Sequence, residues 1–201
     1  MFENKSLKYN TDILTFDNLE IAWPEQIQIG DQIWTTRNLT VDDGGEGIYT
    51  QTVTYDGITY QTEYYYTWDA AARVAASIAG WHLPTGDEWA AMGTYLENIS
   101  SKLHDIGLHA KYSWSEITWY TSDSELRNAT GFTALPAGYI NLRDNNSLVN
   151  FEKRAYWWTA TQQGAYTDTH KYRYLHNKKG IQGNYENDDW SAFSVRLIKD
   201  A

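Results

Sequence analysis

The sequence predicts an α+β fold in which two helices interrupt a set of antiparallel sheets. Alternating, β-prone stretches separated by short turn signals occupy much of the chain up to residue 66. Helical spacing of apolar residues then replaces the alternation up to residue 99. From about residue 112 the chain returns to short aromatic strands and polar turns. Strands, a helical pair and strands again indicate antiparallel sheets.

Two hairpins are predicted before the helices. The stretch "IQIGDQIW" (27–34) alternates around Gly30-Asp31, a two-residue turn with glycine first. The stretch "TQTVTYDGITYQTEYYY" (50–66) places Asp56-Gly57, a strong hairpin signal, between β-prone flanks. Between them, "DDGGEG" (42–47) is predicted to be a flexible acidic loop.

The first helix is predicted to begin after Thr67, which can cap it, and to end before Gly80. The second helix follows a short corner. The residues expected on the buried helical faces are Trp68, Ala71, Ala72, Ala75 and Ile78 in the first helix, and Trp89, Met92, Leu96 and Ile99 in the second.

The corner "GWHLPTGDEW" (80–89) is dense in titratable groups and could be an active site or a helix start. Thr85 and Glu88 have the spacing of a capping box, in which each side chain hydrogen-bonds the other residue's amide. His82 would then be a ring wedged between apolar neighbours. We therefore predict structural roles for His82, Thr85 and Glu88, and no catalytic residue.

The remaining elements are turns at "DNNS" (144–147) and "NKKG" (177–180) and a closing strand at "SAFSVRLI" (191–198). Residues 27–201 are predicted to form the domain, and residues 1–26 an N-terminal arm. Its "TDILTFDNLEIAW" stretch is too apolar for a free tail. The arm is either an extra strand or leader, or an attachment to other virion or surface subunits.

Composition excludes several classes of function. The net charge of −10 disfavours nucleic-acid and anionic-membrane partners, and no apolar run is long enough for membrane insertion. The chain contains no cysteine, and its five histidines form no metal-binding array. No nucleophile elbow and no phosphate loop are present, so we expect no enzymatic activity.

Several motifs together resemble those of the Fibrobacter succinogenes major paralogous domain family. They are "IGDQIWTTRNL" (29–39), "YYYTWDAAARVAASIAGWHLPTGDEWAAM" (64–92), "GFTALPAGYI" (131–140), "YWWTAT" (156–161) and "FSVRLIKD" (193–200). The resemblance covers about residues 27 to 200. It implies a C-type-lectin-like fold with two helices, small antiparallel sheets, paired first and last strands, and a long-loop face.

The resemblance also bears on location. Family members are mostly surface proteins of anaerobic bacteria without an established catalytic role. Where the family commonly has cysteines, this chain has Ser77 and Leu197. No secretion signal is visible at its start. These departures favour a phage virion component over a secreted lipoprotein, with a bacterial cell surface as the alternative.

Calcium is the one cofactor with sequence support. Many C-type lectins bind it, but their proline-centred sugar loops do not occur in this chain. The run "YENDDW" (185–190) offers four oxygen-bearing side chains, and hard oxygen ligands suit calcium. A solvated acidic turn is the commoner meaning. We expect no cofactor; if calcium binds, its ligands are Glu186, Asn187, Asp188 and Asp189.

The segment between the second helix and the closing strand is expected to build the long-loop face. Residues 162–190 are rich in Tyr, Asn, Asp, His and Gln, as adaptable contact surfaces are. Within it, the predicted ligand-binding residues are Tyr166, His170, Tyr172, Tyr174 and Tyr185. Trp157 and Trp158 are adjacent, so in a strand one should face inward and the other outward.

The function predicted is noncatalytic recognition or adhesion, with a glycan or protein receptor as partner and a homo-oligomeric assembly. A purely structural virion or cell-surface element is the alternative, and a carbohydrate-active enzyme is a third candidate. Aromatic residues alone do not separate the first two, since sugar-binding platforms and protein interfaces both favour Tyr and Trp.

Overall fold

A computed structural model describes residues 13–16, 19–22, 25–55, 59–110, 125–176 and 179–199. Side chains of residues 13–22 and 54–61 are not part of this description. The turn at Asp56-Gly57 and the first half of the predicted "NKKG" turn lie outside the described residues. The arm's first twelve residues lie outside them as well.

The described residues contain fourteen strands and three helices. The strands up to the second helix are β1 (Ile13–Phe16), β2 (Leu19–Ala22), β3 (Gln26–Ile29), β4 (Gln32–Thr35), β5 (Ile48–Tyr55), β6 (Thr59–Tyr66) and β7 (Trp81–His82). The helices are α1 (Trp68–Ala76), α2 (Gly86–Ile99) and α3 (Ser101–Ile106). The later strands are β8 (Tyr139–Asn141), β9 (Ser147–Val149), β10 (Arg154–Gln163), β11 (Tyr166–His176), β12 (Lys179–Asn187), β13 (Ser191–Ala192) and β14 (Ile198–Lys199).

Five antiparallel sheets connect these strands. The strand orders are β1-β2, β3-β4-β14-β7, β5-β6, β13-β8-β9 and β10-β11-β12. The last strand lies between β4 and β7, so the closing segment joins the first predicted hairpin. The hairpin at Gly30-Asp31 is confirmed, because Ile29 pairs with Gln32. The strands flanking Asp56-Gly57 also pair as predicted.

The predicted fold class, an α+β C-type-lectin-like fold with two helices and a long-loop face, is wrong. Strands outnumber helices by far in the described structure, and a third helix, α3, follows α2. Where long loops were expected, β10, β11 and β12 form a three-stranded meander with strands of 10, 11 and 9 residues. Recognition therefore cannot rest on a long-loop face in this part of the chain.

The meander was missed because its polar composition resembles that of loops. Tyr and Thr favour strands, and the solvent-facing side of a sheet tolerates Asn, Gln and Asp. The helix α3 is only six residues long, too short for an apolar period to be visible. The meander was therefore missed because composition does not show strand pairing, and α3 was missed because a six-residue helix is too short to show a period.

The two large clusters of buried residues lie on opposite faces of the meander. Trp157 packs with Trp89 and Met92 of α2. Trp158 packs with Val74 of α1 and with Phe193, which follows β13. Both tryptophans are fully buried, so the prediction that one of them faces outward is wrong. The alternation itself holds, but the meander is covered on both sides and each indole enters a different core.

The helix caps follow the sequence, and the buried faces differ from it in detail. Thr67 caps α1 and accepts a hydrogen bond from the Ala70 amide. The face of α1 is shifted by a residue, because Ala70, Ala71, Val74 and Ala75 are buried while Ala72 is only partly so. In α2, Trp89, Met92 and Leu96 are buried, but Ile99 at the end of the helix is 57% exposed.

The two β-like segments of the arm pair with each other as a hairpin, β1 with β2. The role of the N-terminal arm in attachment stays a prediction. None of the described helices is both long and apolar enough to cross a membrane.

Candidate functional site

The corner at residues 80–89 is a helix start in the structure. The predicted capping box is present: the Glu88 amide donates to Thr85 Oγ1 at 3.2 Å, and the Thr85 amide donates to Glu88 Oε2 at 2.7 Å. His82 Nε2 lies 2.9 Å from Glu88 Oε1. Burial alone would raise the pKa of Glu88, but hydrogen bonds from Thr85 and His82 bring it below its ordinary value. Thr85, Glu88 and His82 are therefore hydrogen-bonded to one another, and Thr85 and Glu88 cap the helix.

The five predicted ligand-binding residues do not form one surface. His170, Tyr172 and Tyr174 alternate along β11 and share a face of the meander. Tyr185 pairs with Lys171, so it lies on the opposite face, where the Lys171 ammonium is 5.7 Å from its ring centre. Tyr166, at the start of β11, is 65% exposed. The pleat of the sheet therefore divides the predicted set.

His170 is also less accessible than predicted. Only 5% of it is exposed, and its ring stacks on Trp68 with centroids 3.4 Å apart. Its Nδ1 lies 2.8 and 2.9 Å from the two oxygens of Asp188. The imidazole is buried and held on two sides, so this geometry gives no support to a direct contact with a ligand, and the predicted contact stays a prediction.

Tyr172 and Tyr174 belong to an aromatic cluster on the same face. The Tyr156 ring lies 5.9 Å from Tyr172 and 5.8 Å from Tyr174, and 5.0 Å from Tyr139 of β8. Burial raises the pKa of Tyr172 to about 12, with smaller contributions from Tyr156 and Glu186. Both Tyr172 and Tyr174 remain partly exposed, and Tyr156 connects them to Tyr139, which lines a depression.

This depression, here called the Trp190 pocket, has a volume of about 330 Å³. It opens between β8, the end of β12 and the start of β13. Its lining combines aromatic rings with amide, carboxylate, hydroxyl and guanidinium groups. The lining residues are Tyr139, Asn141, Arg143, Asp144, Glu186, Trp190 and Ser191.

Sheet pairing positions the lining. Ser191 of β13 pairs with Asn141 of β8, and the Leu142 amide donates to the Trp190 carbonyl at 3.0 Å. This pairing fixes the backbone on both sides of the Trp190 indole. Arg143, just after β8, extends over that indole, with its guanidinium carbon 4.4 Å from the ring centre. Trp190 remains 46% exposed.

Glu186 gives the Trp190 pocket its electrostatic character. Burial raises the pKa of Glu186 above its ordinary value, against the opposing influence of the Asn187 amide and the Arg143 guanidinium. The nearby Glu186 charge also contributes to the raised pKa of Tyr139, after burial and Tyr156. A half-buried carboxylate beside an aromatic wall is a hydrogen-bond acceptor that a bound molecule can use.

The four side chains considered for calcium point to different partners. Asp188 binds His170, and Asn187 donates to Asp168 at 3.2 Å and accepts from the Asp189 amide at 3.1 Å. Glu186 lines the Trp190 pocket. Among the described residues no group of three or more His, Asp or Glu side chains is arranged to hold a metal ion.

A second depression, about 510 Å³ in volume, lies between α2, α3 and β12. Some of its polar groups are engaged internally: Glu97 lies 3.2 Å from His104, and Arg173 donates to the Gly86 carbonyl. Trp89 Nε1 and Arg173 Nε are buried without a hydrogen-bond partner among the described residues. Its indole, that of Trp89, is fully buried. The Trp190 pocket, with its exposed indole, is therefore the better candidate site.

Sequence reasoning included Trp190 and Tyr139 only among the many aromatic residues between the second helix and the closing strand, and Glu186 only as a metal ligand. It did not identify Asn141 or Arg143. The predicted "DNNS" turn was the available signal, because Arg143 and Asp144 lie at its start and Asn141 ends the strand before it. Only the pairing of β8 with β13 shows that this turn meets the acidic run.

The sequence profile of the Fibrobacter succinogenes major domain matches residues 27–199. The chain therefore belongs to that family. No curated protein and no solved structure matches it.

Proposed function

We propose that this member of the Fibrobacter succinogenes major domain family is a noncatalytic recognition domain that binds a glycan in the Trp190 pocket. The observation that carries the proposal is the half-exposed Trp190 indole, braced by Arg143, at the wall of a depression lined with hydrogen-bonding groups. The domain would act on a virion surface or, alternatively, on a bacterial cell surface.

The chemistry of the lining suits a sugar. A pyranose ring has an apolar C–H face that packs on an indole, and hydroxyl groups around its edge that both donate and accept hydrogen bonds. Glu186 and Asp144 supply acceptors, and Asn141 and Arg143 supply donors. Arg143 also orients the indole through a cation–π contact.

The size of the site favours a glycan over a protein receptor. A volume of about 330 Å³ is at the lower end of the roughly 300–1,000 Å³ typical of small-molecule sites. Protein interfaces are much broader, at about 800 Å² per partner. The partly exposed Tyr172 and Tyr174, in the aromatic cluster that includes Tyr139, are the residues expected to contact the next sugar of a chain.

The test is a glycan array probed with the full chain, followed by calorimetric titration with the strongest glycan found. Trp190→Ala should weaken binding by about 2 kcal/mol or more. Tyr95→Ala is the matched control, because Tyr95 is 44% exposed but lies on α2. It should bind as the unmodified chain does.

Three outcomes count against the proposal. An empty array together with a protein captured by pull-down would favour a protein receptor. Equal affinities of Trp190→Ala and Tyr95→Ala would move the site elsewhere. Hydrolysis of the bound glycan, lost in Glu186→Gln, would indicate a carbohydrate-active enzyme instead.

A further inference from the structure

Two buried side chains, His170 and Asp188, and the partly buried Trp68 form a connected set close in sequence to Glu186 and Trp190. The His170 ring stacks on Trp68 with an interplanar angle of 8°, and Trp68 Nε1 donates to the Thr159 carbonyl at 2.9 Å. His170 Nδ1 reaches both oxygens of Asp188 at 2.8 and 2.9 Å. The set connects the start of α1, the middle of β11 and the segment after β12.

Asp188 lies in the short turn between β12 and β13, between the two main groups of the Trp190 pocket in sequence. Glu186 precedes it by two residues and Trp190 follows it by two. The Asp188 amide donates to the Asp168 carbonyl at 3.0 Å, and the Trp190 amide donates to the Asn187 carbonyl at 3.1 Å. The His170–Asp188 contact is thus a buried side-chain connection between this turn and the body of the sheet.

Several acidic side chains surround the His170–Asp188 pair. Asp188 is close enough to Asp69 and Asp168 to be influenced by both, and Glu186 is the cross-strand neighbour of His170. A turn with this many carboxylates repels itself unless a donor is fixed among them. His170 supplies that donor in a buried position, where a hydrogen bond to a charged group is stronger than at the surface.

We propose that His170 and Asp188 are positioning residues for ligand recognition, which rests on the function proposed above. They hold the turn so that Trp190 and Glu186 keep the spacing that a sugar requires. Neither residue touches the ligand. Substituting either should therefore loosen the turn and weaken binding without emptying the Trp190 pocket of its contact groups.

The experiment compares His170→Phe, Asp188→Ala and Asp188→Asn. Phenylalanine keeps a ring stacked on Trp68 but cannot bond Asp188. Asparagine keeps an oxygen that accepts from His170. Met92→Ala, in the core beneath α2, is the control for a general loss of stability. Hydrogen exchange at the amides of residues 188 and 190 reports on the turn, and the printed glycan array reports on recognition.

His170→Phe and Asp188→Ala should each speed exchange at these two amides and weaken array binding by about five- to tenfold, the effect of losing one hydrogen bond. Asp188→Asn should stay within about twofold of the unmodified chain in both measurements. Met92→Ala should lower the melting temperature and should change neither the exchange at these two amides nor the binding to the array.

Unchanged amide exchange in Asp188→Ala would overturn the positioning role. Equal losses of array binding in Asp188→Asn and Asp188→Ala would overturn it as well. If Trp190→Ala abolishes array binding while Asp188→Ala binds fully, the positioning role fails alone. If Trp190→Ala binds the array as well as the unmodified chain does, the function proposed above fails and takes the positioning role with it.

Discussion

Two groups of polar side chains in this molecule show opposite arrangements, one around Arg196 in the core and one around Trp190 at the surface. Arg196 is 1% exposed, and its guanidinium donates to Asn38 Oδ1 and to the carbonyls of Thr35, Phe132 and Thr133 at 2.7–3.0 Å. Arg143 is exposed, and its guanidinium rests on an indole. The two arginines have the same chemistry but different tasks.

The core group extends from Arg196 through shared partners. Asn38 Oδ1 also accepts from Trp157 Nε1 at 2.9 Å, and Asn38 Nδ2 donates to Glu63 Oε2 at 3.1 Å. Burial lowers the pKa of Arg196 to about 9, opposed by the Glu63 charge. Burial raises the pKa of Glu63, opposed by Asn38 and Arg196. Only Glu63 Oε1 in this group is buried without a hydrogen-bond partner among the described residues.

The comparison separates polar residues that hold the fold from those available to a ligand. In the core, donors are matched by acceptors from three chain segments, so the group joins the closing segment to the rest of the domain. In the Trp190 pocket, Glu186 and Arg143 have few internal partners and keep part of their surface open. Buried polar groups need internal partners, whereas half-exposed ones can be left for recognition.

The largest expected effect is that of Arg196→Met. The substitution removes the cation that opposes the buried Glu63 charge through Asn38, and it removes a donor from three backbone carbonyls. We expect a loss of about 3–5 kcal/mol in the free energy of unfolding. Urea denaturation measures it. Arg143→Met, the surface counterpart, should change stability by less than about 0.5 kcal/mol and weaken glycan binding instead. Equal stability of the two variants would break the comparison.

Glu186→Gln should affect binding and stability in opposite directions. Losing a charged acceptor should weaken glycan binding by about tenfold. Because the folded-state pKa of Glu186 is raised, its charge destabilises the fold at neutral pH, and Gln should add less than about 1 kcal/mol of stability.

The pH dependence of that gain tests its cause. At pH values below the ordinary pKa of 4.5, both residues are uncharged and the gain should be absent. It should develop as the pH rises through the folded-state pKa. Thermal melting at several pH values measures the gain. A gain that does not depend on pH would show that the Glu186 charge is not its source.

The sequence predicted well what local physics determines. Gly30-Asp31, Thr67 and the Thr85–Glu88 box act within a few residues, so their patterns are visible without a structure. Membership of the family followed from separate motifs in the right order. The core network was not predicted, because Arg196 is 158 residues from Asn38 and 133 residues from Glu63 in the chain.

The candidate site was predicted only in part, for a similar reason. The aromatic and acidic composition of residues 162–190 pointed to the right region, but it did not reveal which face each side chain occupies. Tyr185 and Tyr172 are on opposite faces because of the β11–β12 register, and His170 is buried because Trp68 covers it. Register and coverage depend on long-range pairing, which composition does not encode.

Glu88→Ala should have a smaller effect, confined to stability. Loss of the capping box should lower the free energy of unfolding by about 1 kcal/mol and leave glycan binding intact. Because the folded-state pKa of Glu88 is lowered, its contribution is present above the ordinary value of 4.5 and is lost as the pH falls through the folded-state pKa.

Melting curves of both chains at several pH values would therefore converge in acid. A binding defect in Glu88→Ala with unchanged stability would instead return this corner to the list of functional sites.

The smallest effect on stability is expected at Arg73. Its guanidinium makes several hydrogen bonds, as that of Arg196 does, but it makes them at the surface. Arg73 Nε and Nη2 donate to the two oxygens of Asp43 at 2.7 and 3.1 Å, and Nη2 also donates to the Glu46 carbonyl. The geometry is as good as that of Arg196, but water surrounds it. Arg73→Ala should therefore lower the free energy of unfolding by only about 0.2–1 kcal/mol, less in high salt. Urea denaturation at two salt concentrations measures this. A loss as large as that of Arg196→Met would mean that hydrogen-bond geometry, and not burial, decides which polar groups hold this fold.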